Sequence, residues 1–217
     1  MKNNIGHPKN DWNSNISGVF DAFVTIPKYI TTNPSKYTTM IEVEVKARIN
    51  SFKEMEEKLE KLGAVKTKEE FQQDIYFASP IVDFAETDEA MRVRTTNNDI
   101  FITYKGPKLN DQAKTRKEVE MSIESAEKAK DIFEEIGFSE ARTVEKNRKY
   151  YSFENFEISL DDVLGLPPYM EIEISMDDGE DYSEAQKKIF EVFEKLGITD
   201  GFERTSYMEL LENLNTD

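Results

Sequence analysis

The feature that most constrains this chain is a two-residue alternation of apolar and ionic side chains. Ile41, Val43, Val45 and Ala47 alternate with Glu42, Glu44 and Lys46. In a strand, successive side chains point to opposite faces, so one face here is apolar and the other ionic. The layout recurs in Arg92 and Arg94 against Met91 and Val93, in Thr103 and Lys105 against Ile102 and Tyr104, and in Arg116, Glu118 and Glu120 against Val119 and Met121. It recurs again in Lys146 and Arg148, in Asp161 beside Leu160, and in Glu171 and Glu173 against Met170, Ile172 and Ile174. Strands are therefore expected at 40–49, 71–78, 90–96, 99–105, 115–123, 142–152, 156–163 and 169–176, with Asn97-Asn98 as a tight hairpin turn.

Helices separate some of these segments. Ser51-Phe52-Lys53-Glu54 reads as a capping box opening a helix with the stripe Met55, Leu59, Leu62 and the stop Gly63. Ser125 opens a second, with Ala129, Ile132, Phe133 and Ile136 on one face and Gly137 at its end. A third runs from Ser183 through Ile189, Val192, Phe193 and Leu196 to Gly197, and Ser206 to Leu214 forms a short last one. The expected fold is α+β: a closed eight-stranded antiparallel barrel with helices packed outside.

In an open sheet the ionic face would simply be wet. In a closed barrel it lines a lumen wide enough for one small ligand. Residue type favours the second arrangement, because Arg is frequent and carboxylates come in pairs on the first, fifth and eighth strands. Paired carboxylates suit a hard divalent cation. Arg and Lys suit phosphate, the one through its fork and the other as a point charge. Together they point to a polyphosphate ligand.

Composition excludes much else. The 217 residues hold no Cys, which removes disulfides, thiolate nucleophiles and Cys-based metal centres, and one His, His7, in a polar N-terminal stretch. The net charge of −16 argues against nucleic acid as a partner. No apolar run reaches the ~18 residues that span a bilayer, and no secretory leader is recognisable, so a cytoplasmic location without membrane association is expected. Residues 1–39 carry a charge of +2 and the remainder −18, which marks 1–39 as a flexible extension, or as sequence upstream of a true start at Met40, ahead of a domain spanning 40–217. Phe20, Phe23, Val24 and Ile26 would be the apolar face if the extension instead docked as a helix.

The motifs resemble those of the CYTH family, the triphosphate tunnel metalloenzymes that include class IV adenylyl cyclases and thiamine triphosphatases. Glu42-Val43-Glu44-Val45-Lys46 is similar to its ExExK signature. Gln73–Phe77, Met91–Arg94, Thr103–Pro107, Arg116–Glu120, Lys146–Arg148, Leu160–Val163 and Glu171–Glu173 follow in the family's order, and Ser206–Leu211 looks most like the class IV cyclase branch. The resemblance implies Mg²⁺ or Mn²⁺ held at Glu42, Glu44, Glu171 and Glu173. It implies a triphosphate gripped by Lys46, Arg92, Arg94, Lys105, Arg116, Lys146 and Arg148. Catalytic roles then fall to Lys46 and Lys105, which stabilise charge on the leaving group, and to Asp161, which positions the attacking hydroxyl or a second metal. The substrate would be ATP, tripolyphosphate or thiamine triphosphate, turned over by cyclisation or by hydrolysis; a non-catalytic polyphosphate sensor is the remaining alternative. Cyclase relatives suggest a homodimer.

Several residues have blander expectations. Glu118 and Glu120 should orient Arg92 or Arg148 through salt bridges, and Lys114, Lys117 and Lys149 should be surface charge. Tyr76, Phe77, Tyr150 and Tyr151 are expected to pack in the core rather than against a ligand. Pro167-Pro168 stands where relatives have Gly and a variable residue, and should stiffen the loop into the last strand.

Overall fold

The fold is described from a computed structural model covering residues 37–107, 114–177 and 182–214. The N-terminal segment to residue 36 and its expected extension therefore lie outside the described residues. Tyr37–Thr39, by contrast, already belong to the first strand.

Alternation produces the expected barrel. In chain order the elements are β1 (Tyr37–Arg48), α1 (Phe52–Leu62), β2 (Val65–Ala78), α2 (Phe84–Thr87), β3 (Ala90–Thr96), β4 (Ile100–Lys105) and β5 (Lys114–Ile123). There follow α3 (Ala126–Glu135), β6 (Ser139–Phe153), β7 (Phe156–Val163), β8 (Tyr169–Met176), α4 (Tyr182–Lys195), β9 (Phe202–Glu203) and α5 (Tyr207–Asn213). The sheet order is β5-β4-β3-β2-β6-β7-β8-β1-β9, and pairing of β5 with β1 closes an eight-stranded antiparallel ring. β2 to β5 follow one another as hairpins, as do β6 to β8. The connections that cannot be hairpins, β1 to β2 and β5 to β6, carry α1 and α3 across the outside.

β1 is the seam of the ring. On one side it meets β8 along Ile41–Arg48. On the other, among the described residues, β5 pairs as far as Glu44, opposite Lys114. Beyond that point β9 takes over, pairing Glu203 with Lys46 and Phe202 with Ala47. Two strand residues thus seal the edge that β5 leaves, and deliver the chain to α5.

The apolar faces point outward and are covered by helices. Val43, Val45 and Ala47 of β1, Ile158 and Leu160 of β7, and Met170 and Ile172 of β8 pack against Met55 and Leu59 of α1 and Ile189, Val192 and Phe193 of α4. Val93 and Phe77 meet Ala129 of α3, with Phe133 packed beside them. The expected α3 stripe is only partly used: Ile132 and Ile136 are exposed. Caps follow the sequence signals. Ser51 Oγ accepts from Glu54 N, Ser125 Oγ from Lys128 N, and Ser206 with Glu209 forms a full capping box. Gly63 ends α1 at φ 91°, a left-handed conformation that side chains disfavour. Pro168 O accepts from Ile49 N, tying the Pro167-Pro168 loop to the end of β1. No helix among the described residues is long and apolar enough to cross a membrane.

Candidate active site

The ionic faces converge on a cavity of about 380 Å³ inside the ring. Register decides who meets whom. Lys46 stands opposite Glu171, and Glu44 opposite Glu173. Glu42 faces Arg116, Lys105 faces Glu118, Asp74 faces Arg94 and Arg148 faces Asp161.

Glu42, Glu44 and Glu173 bring one carboxylate oxygen each within 4.8 Å of one another. Burial, reinforced by Glu42, pushes Glu173 well above the usual carboxylate range. Burial would raise Glu42 too, but the Lys105 ammonium reverses this and holds it well below. Burial, together with the neighbouring Glu42, pushes Glu118 up to about 8 even though Lys105 opposes the shift. Glu171, the fourth expected metal ligand, is turned elsewhere: it accepts from Arg148 and lies 3.9 Å from Lys46.

The basic set lines the same cavity: Lys46, Arg92, Arg94, Lys105, Arg116, Lys146 and Arg148. Asp74 holds two of them. Its carboxylate accepts from Arg94 Nε at 2.6 Å and Nη2 at 2.7 Å, and from Arg92 Nη1 at 3.3 Å. Burial favours a protonated Asp74, yet the two guanidiniums keep it far below its ordinary value. Lys105 Nζ bridges Glu42, at 2.8 Å, and Glu118. Arg116 reaches Asp88, Nη1 to its carbonyl at 3.4 Å and Nη2 to its carboxylate at 3.5 Å. Arg92 Nε and Arg116 Nε are buried with no hydrogen-bond partner. An unsatisfied buried donor costs roughly 1–3 kcal/mol.

Asp161 is fully buried, outside the cavity lining. It accepts from Arg148 Nε at 2.6 Å, from Arg148 Nη2, and from the Tyr207 hydroxyl at 2.8 Å, with Lys146 Nζ at 3.6 Å. Burial, aided by Arg148, lowers Lys146 to about 8.

Register corrects the expected roles of Glu118 and Glu120. Glu118 pairs with Lys105, and Glu120 accepts from Thr103 Oγ1 at 2.8 Å, because these are the residues directly opposite them; neither orients Arg148. Among the aromatics, Phe77 and Tyr151 pack outward, whereas Tyr76 and Tyr150 face the cavity, as the same alternation requires. Lys117 is exposed, and Lys149 pairs with Glu56 of α1. Lys114 stands in β5 opposite Glu44 of β1.

Glu157, Lys68, Asp88, Arg204 and Tyr207 also line the cavity without having been singled out from the sequence. For Glu157 a signal exists: it lies an even number of residues from Asp161 on β7, opposite Glu173. Asp88, Arg204 and Tyr207 lie outside the eight ring strands, in segments to which alternation does not apply.

Comparison with known proteins bears on this geometry. A family model described as "CYTH domain" matches residues 40–207. A protein named "Putative adenylate cyclase MJ0240" from Methanocaldococcus jannaschii is 42% identical over 172 residues, covering 79% of this chain and 98% of that protein. The solved structure of the PH1819 protein from Pyrococcus horikoshii OT3 superposes with a TM-score of 0.74 at 37% identity, covering 80% of this chain and 99% of that one. HpAC1 from Hippeastrum, whose structure is described as revealing a dominant triphosphatase activity, shares the fold at a TM-score of 0.59 and 18% identity, over 79% and 95% of the two chains.

Proposed function

Because this chain belongs to the CYTH domain family, we propose that it is a metal-dependent enzyme whose tunnel takes a triphosphate, and that its reaction is the conversion of ATP to cyclic AMP and pyrophosphate. One observation above others supports the reading. A cluster of three carboxylates and a set of buried cations with unsatisfied donors share one cavity.

The acidic cluster fits a hard divalent cation: its ligands are all oxygens, and burial, with Glu42 beside it, pushes Glu173 up even though Arg148 opposes the shift. Glu42, Glu44 and Glu173 would hold Mg²⁺ or Mn²⁺, with Glu171 anchoring Lys46 and Arg148 beside them. A bound cation of this kind neutralises phosphate charge and lowers the pKa of a coordinated hydroxyl or water.

The remaining work belongs to the chain's own residues. Arg92 and Arg94, locked by Asp74, present fixed donors to phosphate oxygens and lose little freedom on binding. Lys46 and Lys105 stabilise the negative charge that grows on the leaving phosphate, as preorganised charges in a water-poor site do best. Lys146, lowered to about 8, can hold or release a proton near neutral pH at its Nζ. Asp161 acts through Arg148 and Lys146 rather than on the substrate, because it lies behind them.

Purified protein incubated with ATP, tripolyphosphate or thiamine triphosphate, in Mg²⁺ or Mn²⁺, tests the reading by product identification. Cyclic AMP and pyrophosphate from ATP are expected, with a loss of at least about 100-fold in Glu44→Ala. Phosphate release without cyclic nucleotide, as the activity of HpAC1 would suggest, assigns a triphosphatase instead. Tight binding without turnover assigns a sensor, and indifference to Glu44→Ala in every assay leaves only a structural barrel.

A further inference from the structure

Tyr207 is the first residue of α5, and the fold spends several interactions on its placement. The Ser206–Glu209 capping box fixes the angle at which the helix leaves β9: Ser206 N donates to Glu209 Oε2 at 2.7 Å, and Glu209 N donates to Ser206 Oγ at 3.2 Å. The side chain thereby enters the end of the barrel, where it is buried. Its ring meets Tyr169 edge to face at 5.5 Å.

Two lumen ammonium groups sit on that one ring, Lys46 Nζ 4.1 Å from its centroid and Lys146 Nζ 5.1 Å. The negative face of an aromatic ring attracts cations, the more so where water is scarce. Lys46 Nζ also donates to Thr205 O at 2.6 Å, so the segment leading into α5 holds it twice. The Tyr207 hydroxyl donates to Asp161, whose other contacts are Arg148 and Lys146. Burial, with Asp161 beside it, keeps this phenol protonated and therefore a donor.

We propose that Tyr207 is a positioning residue through which the C-terminal segment sets the three cations Lys46, Lys146 and Arg148 for phosphate: its ring holds the two ammonium groups, and its hydroxyl holds Asp161 and through it Arg148. The barrel alone does not complete the site; α5 does. The inference rests on the reading of the tunnel as a phosphate site, and its test separates the two.

The test uses the full chain as wild type, Tyr207→Phe and Tyr207→Leu. Lysine labelled with ¹³C at Cε reports ring-current shifts of Lys46 and Lys146, assigned through Lys→Arg substitution at each. Calorimetry with tripolyphosphate and Mg²⁺ reports affinity, and thermal melting reports folding. Wild type and Tyr207→Phe should show the ring-current shifts and Tyr207→Leu should not. Affinity should fall by about 5-fold in Tyr207→Phe, which keeps the ring, and by about 50-fold in Tyr207→Leu, which loses both contacts.

A merely structural residue would lower the melting temperature and leave the affinity of the folded protein unchanged; that result, or wild-type lysine resonances with no ring-current shift, overturns the proposal. Should Tyr207→Leu fail to fold, the lysine shifts of wild type and the affinity of Tyr207→Phe decide alone, and an affinity equal to wild type counts against it. Wild-type protein with Tyr207-dependent lysine shifts but no affinity for tripolyphosphate supports the positioning and refutes the phosphate reading.

Discussion

Lys146 shows how a site residue works against the fold that carries it. Its ammonium is buried between Arg148 and Arg94, with Asp161 at 3.6 Å as a partial counterweight. The group therefore titrates near 8 in the folded protein against 10.5 when free. Below pH 8 both states carry the charge and the folded state bears its full cost. Between pH 8 and 10.5 the folded protein releases the proton first, so stability rises with pH; above 10.5 the cost is gone. Lys146→Met, which keeps the volume, should stabilise the ligand-free protein at pH 7 by up to roughly 3 kcal/mol. The gain should vanish near pH 10.5, and tripolyphosphate binding should be lost. Urea unfolding at the two pH values checks this, and equal midpoints at pH 7 would sink it. The lumen residues on the strands were legible because each sits on a face that one strand's alternation defines. Their partnerships were not. That Asp74 locks Arg92 and Arg94, or that Glu118 meets Lys105, depends on which strand lies alongside and in what register, and neither is written in any single segment. Glu171 illustrates the same limit, since its place opposite Lys46 draws it away from the carboxylate cluster.

At the scale of elements, legibility followed burial on one side only. β1, β3 and β8 have one face under helices and one in the lumen, and their alternation is clean. The first half of β2 lacks that asymmetry. β3 ends at Thr96, opposite Gln72, so Val65–Glu70 pair with β6 alone and are largely exposed, leaving no pattern to read. Lys66, Lys68 and a register shift between them guard that open edge against further pairing. β9 escaped notice for a different reason: its two residues are a strand only through pairing with Lys46 and Ala47 of β1, which no local pattern announces. α5 was legible from its capping residues, and its contacts make the cap testable. Ser206→Ala removes the acceptor for Glu209 N and should cost about 1 kcal/mol, the usual price of a lost helix cap. Because α5 begins with Tyr207, amide exchange should quicken along Tyr207–Asn213 while the ring strands stay protected. Uniform loss of protection would show instead that α5 and the barrel open as one unit.

For the whole molecule the question is how a chain of net charge −16 would accept the polyanion proposed for it. On the ionic faces, eight basic residues (Lys46, Lys68, Arg92, Arg94, Lys105, Arg116, Lys146, Arg148) nearly balance nine acidic ones (Glu42, Glu44, Asp74, Glu118, Glu120, Glu157, Asp161, Glu171, Glu173), so nearly all of the acidic excess lies outside them. The exterior repels a long polyanion, and salt screens that repulsion over about 10 Å, whereas the buried lining feels it little. Within the lining most carboxylates are paired with cations, but one group of acids stands close together. Glu42, Glu44 and Glu173 cluster together, and a triphosphate entering without a cation meets this acidic cluster directly. Metal and triphosphate should therefore bind with positive coupling, each removing the charge that opposes the other. Thermal melting resolves this in four arms: protein alone, with Mg²⁺, with tripolyphosphate, and with both. At ligand about 100-fold above its dissociation constant the pair should stabilise by about 2.7 kcal/mol, or roughly 5–10 °C for a domain of this size. Either ligand alone should give less than half of that shift, and EDTA should return the combined sample to the tripolyphosphate curve. Glu173→Gln removes one carboxylate from the cluster while sparing Lys46 and Arg148. It should weaken the response to Mg²⁺ and leave the response to metal-free tripolyphosphate nearly unchanged, because without metal Glu173 is already held protonated, a split that general destabilisation cannot produce. Shifts that merely add, in wild type and variant alike, would show that the carboxylate cluster and the basic lining do not act on a shared ligand.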